Sequence, residues 1–140
     1  MGVGGFPKDV IFGEDTLVAA KLLLSGWKIA YVAEAKVHHS HAYSLRQEFQ
    51  RYFDIGVLHA REAWLRREFG GVSPEGMRFV RSELSYLWRT SKWLIPSALL
   101  RTVLKWIGYR LGRREKSLNI WWKRRLSMHA GFWSESPGRR

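Results

Sequence analysis

Gly13-Glu14-Asp15-Thr16-Leu17-Val18-Ala19-Ala20-Lys21-Leu22-Leu23-Leu24-Ser25-Gly26-Trp27-Lys28-Ile29-Ala30-Tyr31-Val32 carries two hydrophobic rhythms in succession. Acidic Glu14 and Asp15 open an apolar run that Ser25-Gly26 closes, which predicts a helix with a glycine stop. Trp27 to Val32 is short, β-branched and aromatic, and predicts a buried strand. A helix that turns within two residues into a strand is half of an α/β unit, so the expected fold class is α/β. Downstream, Leu45, Phe49, Tyr52, Phe53, Gly56, Val57, Ala60, Ala63 and Trp64 recur at helical spacing and predict a long amphipathic helix from Tyr43 to about Phe69. Further helices are expected near Glu75 to Thr90, Ser97 to Leu111 and Leu118 to Met128. Upstream, Gly2, Gly4 and Gly5 fit no nucleotide-binding fingerprint, because no strand precedes them, and are expected to form a loop.

Of the 140 residues, 46% are apolar and 14% aromatic, enough for a packed core and too many for a disordered chain. Lys and Arg number 24 against 12 Asp and Glu, a formal net charge of +12 that favours an anionic partner. Residues 1–70 are nearly neutral at +1, whereas residues 71–140 carry +11 and six of the eight tryptophans, Trp88, Trp93, Trp106, Trp121, Trp122 and Trp133. A division is therefore expected near Gly70-Gly71, with Ser73-Pro74 as a turn and helix start. The absence of cysteine excludes a disulfide scaffold and a zinc ribbon and fits a reducing compartment. The longest uncharged apolar stretch, Trp93 to Leu100, falls far short of the roughly 20 residues a spanning helix needs. The first residues, MGVGGFPKD, lack the basic start and apolar run of a secretory signal, so neither a membrane span nor an export address is expected.

Three groups of side chains bear on chemistry. Glu14 and Asp15 stand at a helix start, where the macrodipole favours an ionised carboxylate. Near a cleft such a group can take a proton from a hydroxyl nucleophile; as ordinary structure it caps the helix. His39 and His41, two apart in an extended stretch, point to one side and can share a metal or a phosphate, or form a plain surface cluster. Arg46, Gln50 and Arg51 lie along the long helix, where a guanidinium can meet a diphosphate; alternatively Arg51 and Asp54, three apart, form a local ion pair.

Taken in order, GGFPKDVIFGEDTLVAAKLLLSGWKIAYVAEAKVHHSH followed by QEFQRYFDIG resembles the C-terminal portion of a family 2 glycosyltransferase of the GT-A fold, most closely of rhamnosyltransferase type. Gly4-Gly5-Phe6-Pro7 resembles the acceptor-side loop, Phe12-Gly13-Glu14-Asp15 the ED motif, and His39-Ser40-His41 the downstream histidines. Gly108-Tyr109-Arg110-Leu111-Gly112 and Ser127-Met128-His129 resemble the ends of such chains. The resemblance implies a partial GT-A domain over residues 1–70, α/β in class, followed by a mainly helical basic tail over 71–140. It implies sugar transfer from a nucleotide-sugar to an acceptor hydroxyl with inversion, Asp15 as general base and Glu14 positioning the acceptor. It further implies a divalent metal, Mg²⁺ or Mn²⁺, near His39 or His41, with Arg46, Arg51 and Gln50 toward the diphosphate. Two departures stand beside it. No DxD carboxylate motif precedes the ED pair, and the QxxRW motif of processive members is absent, Gln47 and Arg51 being one residue too far apart. A single nonprocessive transfer by the back half of an enzyme is therefore expected, whether truncated, split or begun internally at Met1.

In the tail, Trp93, Leu100, Val103, Leu104, Ile107 and Leu111 fall near one helix side, flanked by Arg101, Lys105 and Arg110. That pattern suits a helix lying in an anionic membrane interface, or one packed on the preceding domain with a basic outer face. With a lipid-linked or glycan acceptor, the membrane reading places the protein at the inner, cytoplasmic face of a bacterial membrane, making surface polysaccharide. The rivals are a basic nucleic-acid-binding protein and a noncatalytic remnant. No RRM, KH, helix-turn-helix or zinc-finger pattern is present, and the well-patterned half is nearly neutral, which argues against nucleic acid as partner.

Overall fold

The computed structural model describes residues 4–38, 42–70 and 73–134, and among them every regular element is helical. The α-helices are α1 (Glu14–Leu24), α2 (Leu45–Arg61), α3 (Ala63–Phe69), α4 (Ser73–Thr90), α5 (Ile95–Gly112) and α6 (Ile120–Leu126). Single 3-10 turns occupy Lys92–Leu94, Glu115–Ser117 and Ala130–Trp133.

This overturns the α/β expectation for the described residues, which contain no strand. Residues 27–32 run as irregular chain, with Trp27, Ile29, Tyr31 and Val32 all more than half exposed. The physical reason is pairing: a strand is stabilised through its neighbours' N–H and C=O groups, and no second strand lies among these residues to supply them.

The helices, by contrast, follow local signals closely. Gly13 enters α1 with φ 79° and Gly26 leaves it with φ 85°, both in the left-handed region that glycine reaches without strain. Behind Gly26 the Trp27 N–H donates to the Leu22 carbonyl at 3.0 Å, and the Gly26 N–H to that of Leu23 at 3.0 Å, the paired bonds of a Schellman stop. At α2 the Ser44 Oγ accepts from the Gln47 N–H while the Gln47 Oε1 accepts from the Ser44 N–H, closing a capping box. The helix expected from Tyr43 to Phe69 is interrupted at Glu62, where φ −101° and ψ 58° leave the helical region, and resumes as α3.

The most extensive helix pairing is α2 on α5, and glycine makes it possible. A Cβ added at Gly108 would lie 2.5 Å from the Phe49 carbonyl oxygen. One at Gly112 would collide with the Phe53 carbonyl, and one at Gly56 with that of Tyr109. At the edge of the crossing, Glu48 binds Arg101 at 2.5 Å and approaches Lys105 at 4.0 Å. Two apolar clusters flank α2. Phe53 and Val57 pack with Ile11 and Trp133, and Leu58 packs with Leu17, Ala20 and Leu65. Beside the first cluster the buried Glu115 carboxylate pairs with Arg61 at 3.2 Å and Lys123 at 2.6 Å, which holds its pKa below the ordinary value although burial pulls the other way.

Gly108→Ala is expected to lower stability by about 1–3 kcal/mol, since the overlap with the Phe49 backbone outweighs the better helix propensity of alanine. Gly76→Ala on α4, where a Cβ meets open space, is expected to raise stability by about 0.5–1 kcal/mol. Urea denaturation of the two variants checks both signs.

Candidate active site

Glu14 and Asp15 form the exposed first turn of α1. The turn is fixed from beneath: Leu17 and Ala20 are buried against Leu58 and Leu65, and a Cβ at Gly13 would stand 2.9 Å from Leu58 Cδ2. Asp15 Oδ1 accepts the Thr16 N–H at 2.7 Å, which orients the carboxylate beside its own helix start. A rigidly mounted, solvent-facing carboxylate of this kind can accept a proton from a ligand hydroxyl brought against it.

One turn upstream, Phe12 ties this end of α1 to α2 and to the tail. The Arg51 guanidinium lies over the Phe12 ring at 4.7 Å and over the Tyr43 ring at 5.6 Å, and donates to the Tyr43 hydroxyl at 3.4 Å. The His129 ring stacks against Phe12, with ring centroids 6.2 Å apart and planes at 26°. The Arg51–Asp54 ion pair expected from spacing does not form. Asp54 is buried and turned instead to the tail, where its Oδ2 accepts the Met128 N–H at 2.9 Å. Burial pushes the Asp54 carboxyl above its ordinary value, against the lowering pull of the Ser127 hydroxyl, the Met128 and His129 N–H groups and the His129 imidazole.

The other candidates are dispersed. Gln50 is committed to structure, its amide donating to the carbonyls of Arg125 at 3.1 Å and Ser127 at 3.2 Å, which leaves no free amide donor for a diphosphate. Arg46 is exposed on the first turn of α2. Gly4, Gly5 and Phe6 lie in irregular, mostly exposed chain leading toward α1. His39 and His41 fall outside the described residues. Among the described residues no three His, Asp or Glu side chains converge on a point where a cation could sit. Phe12, Tyr43 and His129 were not singled out for roles by spacing; their common signal is an aromatic ring adjoining an already notable motif, FGED, the histidine cluster or SMH.

The chain is 49% identical over 132 residues to the O-antigen chain rhamnosyltransferase WbaN of Salmonella anatum. It is 48% identical over 132 residues to the O-antigen chain rhamnosyltransferase RfbN of Salmonella typhimurium. This chain is similar to O-antigen chain rhamnosyltransferases. Each match takes in 94% of the chain, a stretch that necessarily includes Glu14-Asp15 and the α2–α5 pair, but only 42% of the relative's length. No family model matches the chain, and no solved structure matches it.

The raised Asp54 pKa has a sign that can be measured. The folded protein holds this proton more tightly than the unfolded chain, so the stabilisation is full below the ordinary Asp value and is lost as pH rises through the raised one. Asp54→Asn keeps an acceptor for the Met128 N–H without the buried charge. Urea unfolding is expected to find it at least as stable as the parent at neutral pH, with the advantage gone by about pH 3. A clear loss of stability at neutral pH would show that the ionised carboxylate itself holds the tail.

Proposed function

We propose that this chain forms part of an inverting glycosyltransferase of the family 2 type, which moves a rhamnosyl group from a nucleotide-sugar to a hydroxyl of a glycan or lipid-linked acceptor in bacterial surface-polysaccharide synthesis. The observation that carries the proposal is the 49% identity, over 94% of the chain, to a protein named as an O-antigen chain rhamnosyltransferase. The placement of the acidic pair supports it. Asp15 takes the proton of the acceptor hydroxyl as that oxygen attacks the anomeric carbon from the side opposite the diphosphate, whose bond to the sugar breaks, so that configuration inverts. Glu14 beside it positions the acceptor, with Gly4, Gly5 and Phe6 on the same approach. Arg51, braced by Phe12 and Tyr43, suits a diphosphate. The exposed apolar side chains of residues 27–37 also fit, because Trp27, Ile29, Tyr31, Val32 and Val37 need cover that more of such an enzyme would give.

A chimera in which this chain replaces the matched segment of the Salmonella anatum rhamnosyltransferase provides the assay. Rhamnosyl transfer is expected to persist, and Asp15→Asn to lower turnover by about 10²–10⁴-fold with little change in donor KM. Near-normal turnover in the variant would remove Asp15 from the reaction.

The same proposal places the protein at the inner face of a membrane, as a peripheral rather than spanning chain. No helix among the described residues is long and apolar enough to cross a bilayer. On α5 the usual polarity is inverted: Arg101 and Lys105 turn toward Glu48, while Leu99, Leu100, Val103 and Trp106 are 44% to 59% exposed. Trp93 is 78% exposed just before the helix, Lys92 lies 4.7 Å over Trp88, and Arg110 lies 5.2 Å over Trp106. Exposed rings with adjacent cations match an interface of acyl chain and anionic headgroup. The 140-residue chain is expected to sediment with phosphatidylglycerol vesicles, less so as salt rises, and less again when Trp93→Ala and Trp106→Ala are combined. Equal sedimentation with neutral vesicles, or none with either, would overturn this placement, and tighter binding to single-stranded nucleic acid would favour a nucleic-acid partner.

A further inference from the structure

Where α2 ends, α3 begins and the chain leaves α5, the surface opens into a cleft of about 370 Å³ lined by His59, Ala60, Ala63, Arg66, Arg113, Arg114, Lys116 and Ser117. Four of these side chains are cationic and none is acidic. Of the carboxylates that adjoin lining residues in sequence, Glu115 is committed to Arg61 and Lys123, and Glu62 accepts the Trp64 indole N–H at 2.7 Å. Among the described residues no carboxylate forms an ion pair with Arg66, Arg113, Arg114 or Lys116. Glu14, Asp15 and Arg51 do not line it.

We infer that this cleft binds a phosphate-class anion, a phosphomonoester or a diphosphate, between the guanidinium groups of Arg66 and Arg113 with Arg114 and Lys116 at its margin. Four cations gathered at one concave surface without a paired carboxylate raise the local positive potential and favour an anion there. The α5 C-terminus accounts for some of this charge, since its exposed carbonyls favour nearby cations. It does not account for Arg66, which comes from α3, and the buried Arg66 Nε–H has no hydrogen-bond acceptor in the protein. A guanidinium donor without an acceptor in the protein remains available to a ligand, and a phosphate oxygen matches its geometry.

His59 completes the set. Its Nδ1 meets the Tyr109 hydroxyl at 3.1 Å; with that hydroxyl donating, the ring proton sits on Nε2 and is available to an anion. Burial first, then the charges of Arg66 and Arg113, hold His59 below its ordinary pKa, so those two cations act on the ring from α3 and from the end of α5. A bound phosphate opposes both charges. The inference stands on the cleft alone and does not depend on the transferase reading.

The test is calorimetric titration of the 140-residue chain with inorganic pyrophosphate, beside the double variant Arg66→Gln/Arg113→Gln and a charge-matched control, Arg78→Gln/Arg81→Gln, on the exposed side of α4. Saturable binding that the cleft variant weakens at least about tenfold and the control leaves unchanged is the expected result. No saturable binding at millimolar pyrophosphate, or an equal loss in the control, overturns the inference. Should the cleft variant fail to fold, the His59 imidazole resonance of the unaltered chain decides: it shifts on titration if the cleft is occupied and stays fixed if it is not. Vesicles then separate the two sources of the anion. A preference for phosphatidic acid over phosphatidylglycerol at equal charge, abolished by free pyrophosphate, marks a lipid headgroup as the occupant; pyrophosphate binding without that preference marks a soluble phosphate.

Discussion

Nothing larger than hydrogen separates the backbones of α2 and α5 at Gly56, Gly108 and Gly112. Carbonyl oxygens of Phe49, Phe53 and Tyr109 press into the spaces that side chains would fill, close enough for Cα–H···O contact. Much else depends on that approach. It brings Glu48 within reach of Arg101 and Lys105, and it turns Phe53 and Val57 toward Ile11 and Trp133. It also brings the end of α2 beside the end of α5, so that His59 and Arg113 line one cleft. A wider crossing would dissolve these contacts together, because each is set by the same interhelical distance.

How much of this was legible in the sequence depends on whether the deciding partner was local. Gly26 and the acidic residues before Leu17 specify the ends of α1 within a few residues, and those ends lie where the pattern puts them; the Ser44–Gln47 box that starts α2 is equally local. Trp27 to Val32 has strand composition, but a strand is completed by a neighbour that composition does not contain, and the segment is irregular here. Gly56, Gly108 and Gly112 read as helix-weakening residues when each helix is considered alone. Their value lies in the opposite backbone, visible only once the two helices are laid together.

The candidate site divides in the same way. The helix start at Glu14 and Asp15 was legible because a helix start is a local event. Arg51 and Asp54 have the spacing of an ion pair, yet one is drawn to the rings of Phe12 and Tyr43 and the other to the N–H of Met128. Gln50 has the chemistry to hold a ligand and is occupied by the carbonyls of Arg125 and Ser127. In each case a partner far along the chain outcompetes the neighbour that spacing suggests. Similarity to the two Salmonella rhamnosyltransferases bears on the sequence as a whole and gives none of these pairings.

The tether between Asp54 and Met128 has a bearing on biosynthesis. During translation α2 emerges well before the residues that finish its surroundings, for Phe53 and Val57 are closed over by Trp133, near the far end of the described chain. Until Ser127, Met128 and Trp133 leave the ribosome, α2 has one flank of apolar side chains and a carboxylate without its donor. Contacts this distant in sequence form late and slowly, so the nascent chain passes through an interval with a sticky, half-built helix pair. A chain interrupted before Ser127 leaves that flank of α2 uncovered and suited to chaperone capture, although α1 to α5 have already been made.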